Sequence, residues 1–274
     1  MIDIEMVEAH EDGEHSKLLS SHPGISELRE CAERPHVSDR YLMRFLNANN
    51  QDVVKAKKQL QAYTELWQLN KWDRVTYSMV REEFLRKQFV LPPDLVDKQG
   101  RHTIIWYHGL YCPKEGSSAQ KNLKLFAHLT DWLTMVKPSA PAAGLNILID
   151  FSGFGMANWD LGLIGHINTS SRQAEAIPFK QVRILHVNMT PAFVSAWDAI
   201  QKILSEETKK KMLFFKNGRG LLSEYHAHML PESLGGTYKI DVQKLDALLL
   251  TSEHKKNPEL RSRPRVINFR SSQG

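Results

Sequence analysis

The chain has 274 residues, 42% of them hydrophobic, enough for one sizeable core or for a core with a small helical subdomain beside it. Its net charge of +5 and pI near 9.1 form a modest surplus that does not by itself imply nucleic acid and suits docking on anionic lipid or a solvated surface. The longest uncharged runs, Ile184–Trp197 and Pro138–Ile149, are too short and too interrupted by proline to span a bilayer.

Two well-separated cysteines, Cys31 and Cys112, stand outside any CxxC pattern, which argues for a reducing compartment and against zinc or redox chemistry. The opening residues carry six acids and no Lys or Arg over positions 1–15. They read as a disordered acidic tail, without the basic and apolar regions of a signal peptide, so a cytoplasmic location is expected. His10-Glu11 does not begin an HExxH zinc motif, because position 14 is Glu.

Residues 16–92 read as a helical subdomain. Ser38-Asp39 can cap a helix carrying Tyr41, Leu42, Phe45 and Leu46. Val53, Ala56, Leu60, Tyr63 and Trp67 then recur at helical spacing as one apolar stripe. A short helix over Val80–Arg86 ends before Leu91-Pro92-Pro93, which marks a boundary.

Residues 93–252 alternate strands with helices. Strands are predicted at Arg101–His108, Leu145–Phe151, Val182–Val187 and Met212–Phe215. Helices are predicted at Ala119–Val136, Trp159–Ala176, Ala192–Leu204, after Ser205, near Leu221–His228, and at Asp241–Leu250. The stretch from Gly144 to Phe193 is a β-α-β crossover, which gives parallel strands. The fold class is therefore α/β: a small N-terminal helical bundle plus a domain with a mainly parallel mixed sheet. Residues 253–274 form a basic extension, with six Lys or Arg against two acids from Glu253 to Arg270.

Signatures of catalysis are sparse. There is no phosphate-binding GxxxxGK[ST] loop and no GxSxG elbow. Asp150 closes a strand, where α/β enzymes place carboxylates; with His186 it is the candidate pair for an enzyme. The other reading is a turn in which Asp150 and Ser152 cap the next segment. His226 and His228 lack a third metal ligand nearby and read as turn histidines. No catalytic residue, metal or cofactor is assigned.

Five motifs in order resemble one family. Tyr41 to Asn50 (YLMRFLNANN) is similar to its "LLRFLRARKFD". Ile149-Asp150-Phe151-Ser152-Gly153 is similar to its "D-hydrophobic-x-G". Pro178 to Asn188 (PFKQVRILHVN) resembles its basic "IHVVN" strand. Pro191-Ala192-Phe193 resembles the start of its gate helix, and Leu230 to Thr237 (LPESLGGT) its "LP-x-x-(Y/F)GG". The chain thus resembles a CRAL-TRIO protein of the Sec14-like superfamily over residues 25–250, nearest the α-tocopherol transfer protein and cellular retinaldehyde-binding protein branch.

The resemblance implies a non-catalytic, monomeric carrier that moves a retinoid, tocopherol or related isoprenoid between membranes, with a mobile gate helix over an apolar cavity. A phospholipid or phosphoinositide carrier of the Sec14 type, or a phosphoinositide sensor, is the alternative. It implies a cavity lined by Leu123, Phe126 and Thr130 on one helix, Leu145, Ile147 and Ile149 on a strand, and Leu163 and Ile167 on the next helix. Phe193, Trp197 and Ile200 fall on the gate. It implies headgroup contacts from Arg44, Lys180, Arg183, Lys209, Lys210 and Lys211, the alternative for the last five being ordinary surface charge. Three departures stand out. Asn47-Ala48-Asn49 replaces the family's "RAR". Asn188 to Pro191 is one residue longer than its N-x-P. The polar run Asn168 to Gln173 either makes part of the pocket polar, suiting a hydroxyl, aldehyde or acid, or turns outward.

Overall fold

The computed structural model describes residues 22–31, 37–159 and 161–254, the side chains of 73, 161–168, 196 and 254 excepted. The acidic tail and the basic extension from residue 255 lie outside the described residues.

The N-terminal helices are α1 (Pro23–Cys31), α2 (Asp39–Ala48), α3 (Val53–Leu69) and α4 (Tyr77–Leu85). Ser38 Oγ accepts the Tyr41 amide at 3.2 Å, and Asp52 Oδ1 accepts the Lys55 amide at 3.1 Å, so each helix starts where a side-chain acceptor satisfies an otherwise unpaired N–H. The stripe on α3 packs as its spacing demands, with Ala56, Leu60, Tyr63 and Trp67 buried and Val53 at its edge. α4 begins at Tyr77, ahead of the Val80 expected, because Tyr77 is itself a core residue whose hydroxyl donates to Asp246 Oδ1 at 2.7 Å.

The sheet has five strands in the order β1 (Phe89–Val90), β2 (His102–Tyr107), β3 (Leu145–Asp150), β4 (Val182–Val187) and β5 (Met212–Phe215). β1 runs antiparallel to β2; all other neighbours are parallel. The parallel pairs require long crossovers. These contain α5 (Ala119–Val136) and α6 (Ala140–Ala143) between β2 and β3, α7 (Leu161–Ala176) between β3 and β4, and α8 (Pro191–Ile203) with α9 (Glu206–Lys210) between β4 and β5. The final helix, α10 (Val242–His254), packs on α4.

The mixed, mainly parallel α/β architecture is the one expected, with two local corrections. β1 is a strand that its Pro-Pro neighbour had hidden. The helix expected near Leu221–His228 is instead a pair of 3-10 turns, Gly218–Ser223 and Ala227–Met229. Gly218 and Gly220 weaken any α-helix there, and Gly218 is pressed against the backbone of Leu234, where a Cβ has no room. Among the described residues, no helix is long and apolar enough to cross a membrane.

Alternation along the strands divides the core in two. Leu148, Leu185, Val187 and Ile105 face the turn-rich layer with Leu221, Tyr225, Leu230 and Leu234. Ile147, Ile149 and Ile184 face the helical layer, and on that side the functional site forms.

Candidate functional site

The register of the sheet builds one floor. Phe89 pairs with Trp106, Trp106 with Ile149, Ile149 with His186 and His186 with Phe214. The adjacent row aligns Ile147, Ile184 and Met212. Except for Phe214, all these residues line a cavity of about 160 Å³, roughly tenfold what one water requires.

The walls come from helices. α5 presents Ala119, Asn122, Leu123 and Phe126, an i, i+3, i+4, i+7 face. α7 contributes Ser170, Ser171, Gln173 and Ala174. α8 closes the cavity with Phe193, Trp197 and Ile200, and Phe151, Phe154 and Trp159 fill one end. The Phe193 ring lies 4.0 Å from Phe151 and 5.8 Å from Trp197, centroid to centroid. Exposed apolar residues flank this region: Val194 is 56% and Ile203 49% exposed on either flank of the buried face of α8, and Phe214 is 46% and Leu213 36% exposed on opposite faces of β5.

Of the cavity residues expected, Leu123, Phe126, Ile147, Ile149, Phe193, Trp197 and Ile200 meet around this space. Two do not. Leu145 is fully buried in packed core at the opposite end of β3, since the cavity occupies only the carboxyl-terminal half of the strands, where open parallel sheets leave a crevice. Thr130 is turned into its own helix, its hydroxyl donating to the Phe126 carbonyl at 2.9 Å and the Ala127 carbonyl at 3.1 Å. Leu163 and Ile167 lie outside the described side chains. The polar run divides between the two alternatives: Ser170, Ser171 and Gln173 line the cavity, Arg172 is exposed, and the side chain of Asn168 lies outside the described ones.

Sequence reading missed Trp106, His108 and His186 as lining residues. The Trp106–His108 rings stack at 4.3 Å and His186 stacks on Phe214 at 4.9 Å. Burial, with a smaller effect of His186, pushes the pKa of His108 down to about 3; burial likewise lowers that of His186 to about 4. Both imidazoles are neutral at pH 7. The period-two placement of Trp106 and His108, and of Ile184 and His186, was the available signal.

The six expected headgroup cations separate into distinct environments. Arg44 is not at the surface. Its Nη1 donates to Asp131 Oδ1 at 3.1 Å and to Thr134 Oγ1 at 3.1 Å, with its guanidinium 3.9 Å from the Tyr41 ring centre. Burial opposes its charge, but Tyr63, Tyr41 and Asp131 outweigh that and raise its pKa. Asp131 also accepts from Tyr63 and Trp67, so Arg44 ties the N-terminal helices to α5. Arg183 is largely committed as well, at 2.8 Å from Glu224 and 3.6 Å from Asp97. Lys209 and Lys210 pair with Glu206 and Glu207 at the surface. Lys180, Lys210 and Lys211, with Arg183, line a second, polar basin that also includes Asn49, Gln59 and Glu175.

The CRAL/TRIO domain profile matches residues 86–236, which carry the sheet and most of the cavity. The chain is 24% identical over 215 residues to "CRAL-TRIO domain-containing protein T23G5.2" of Caenorhabditis elegans, a match covering 73% of this chain and 30% of that protein. The chain therefore spans under a third of that relative's length. The fold is similar to the crystal structure of Sfh5, with TM-score 0.55 and 13% identity over 88% of this chain and 96% of that one. With the profile over more than half its length and this sheet, cavity and covering helix, the chain belongs to the CRAL/TRIO domain family, whose members bind and transfer lipids.

Proposed function

We propose that the chain binds one hydrophobic small molecule, a retinoid, tocopherol or related isoprenoid, and transfers it between membranes without covalent chemistry. The observation that carries this reading is the apolar cavity under α8, a helix that also exposes Val194 and Ile203 on its flanks. An amphipathic helix with exposed apolar residues flanking its buried face can trade contact with the cavity for contact with a bilayer. Burial contributes about 25 cal/mol per Å² of apolar surface, which holds such a ligand against water and makes a lipid surface its natural exit. The protein works as a cytoplasmic monomer that meets membranes transiently.

Organic extraction of the purified protein is expected to release a near-stoichiometric lipophilic compound, which mass spectrometry identifies. Purified protein should also speed its exchange between donor and acceptor vesicles. An extract without lipid together with unaccelerated exchange overturns the proposal.

The basin rimmed by Lys180, Lys210 and Lys211 favours a second reading, a Sec14-type phospholipid or phosphoinositide carrier or sensor. The same extract distinguishes it by yielding a phosphate-bearing lipid.

A further inference from the structure

The otherwise apolar cavity contains polar atoms that the fold does not use. Both ring nitrogens of His108, Nδ1 of His186, Nε1 of Trp106 and Oδ1 of Asn122 are buried with no hydrogen-bond partner among the described residues, and all four residues line the cavity. His108 is 7% exposed, and Asn122 and His186 are 3% each. Burying such atoms unpaired is costly, so a set of them facing one space calls for a ligand that pairs them.

Their chemistry narrows the ligand. A neutral imidazole offers one N–H donor and one bare nitrogen acceptor. Trp106 Nε1 donates and Asn122 Oδ1 accepts. His108 packs against both Trp106 and Phe151, at 4.3 and 5.1 Å, and His186 stacks on Phe151 at 5.8 Å. The two imidazoles and Trp106 therefore gather around Phe151, and Asn122 lines the same cavity from α5. A hydroxyl both donates and accepts, and so can satisfy such a pair. Among the described residues, no Lys or Arg lines the cavity, so a carboxylate or phosphate would be buried there without a counter-charge.

We propose that the cavity selects an uncharged lipid alcohol, its hydroxyl hydrogen-bonded to His108 and its hydrocarbon body along Ile147, Ile149 and Phe126. This rests on the carrier reading and names the ligand's polar group.

Three probes sharing one branched isoprenoid skeleton test it: phytol, the hydrocarbon phytane and phytanic acid. Their affinities for the delipidated full chain are read from the change in tryptophan emission on binding, since Trp106, Trp159 and Trp197 line the cavity. Phytol is expected to bind at least about tenfold more tightly than either analogue. His108→Phe should bring the phytol-to-phytane ratio close to one while phytane affinity stays within about twofold, which also shows that the variant folds. Trp106→Phe should reduce the same ratio partially. A wild-type ratio near one, tighter binding of the acid, or an undiminished ratio in His108→Phe overturns the inference while the carrier reading stands. If none of the three binds, the carrier reading for isoprenoids falls, and this inference with it.

Discussion

Oδ1 of Asp150, the last residue of β3, accepts a hydrogen bond from Nδ2 of Asn188 at 2.9 Å, and Asn188 is where the chain leaves β4 for the covering helix α8. Asn188 has a φ of +56°, the left-handed region that asparagine tolerates better than most residues. The same Asp150 oxygen accepts from the Ser152 amide at 3.0 Å and from its hydroxyl at 2.8 Å. The carboxylate thus holds two turns together. His186 pairs with Ile149, and Asp150 with Val187, so Asp150 and His186 face opposite sides of the sheet. The pair considered for catalysis is not assembled.

This hinge should control ligand exchange. Asn188→Gly keeps the backbone conformation but removes both side-chain hydrogen bonds, to Asp150 and Ser152. It is expected to accelerate ligand release with little change in Tm. Asn188→Ala adds backbone strain and should also lose about 1–2 kcal/mol of stability. Stopped-flow release and thermal melts check both; unchanged release in the glycine variant removes the hinge from the mechanism.

Arg44 should act on stability and not on membrane affinity. Arg44→Met leaves Asp131 buried without its cation, at a cost of about 3–5 kcal/mol. Urea unfolding reads the loss, and vesicle binding of the remaining folded protein should match wild type.

The two cavity histidines should make the fold acid-sensitive. Their native pKa values lie below the ordinary 6.5, so on acidification the unfolded chain takes up protons that the native state refuses. Their contribution is fully present above pH 6.5 and is lost as pH falls toward about 4 and then about 3. At about pH 5 each histidine should have cost about 2 kcal/mol. His108→Phe should remove its share of that slope in denaturation curves recorded across this range.

The lysines of the polar basin should govern attraction to anionic lipid. Lys180→Glu with Lys211→Glu is expected to weaken sedimentation with phosphoinositide-containing vesicles about tenfold or more, and less so in high salt. Arg183→Gln should instead reduce stability, through loss of its contacts with Glu224 and Asp97. Equal vesicle binding by the double lysine variant and wild type counts against this basin.

Much of the fold was legible because its signals are local. Ser38 caps its helix, Leu123 and Phe126 share one face of α5, and Ile147 and Ile149 alternate on β3. Phe193, Trp197 and Ile200 follow helical spacing on α8 in the same way. Arg44 misled because a basic residue within a motif carries no sign of its burial; its partner Asp131 is 87 residues away. Leu145 misled because strand alternation identifies a face but not how far a cavity extends along it.

Periodicity and capping residues alone determined the alternation of strands and helices and the amphipathic helix that covers the sheet, because those preferences act between residues close in the chain. Tertiary structure decided which polar side chains gather in the cavity. Trp106, His108, Asn122 and His186 come from three separate elements and their flanking turns, and only strand register and helix docking bring such groups together.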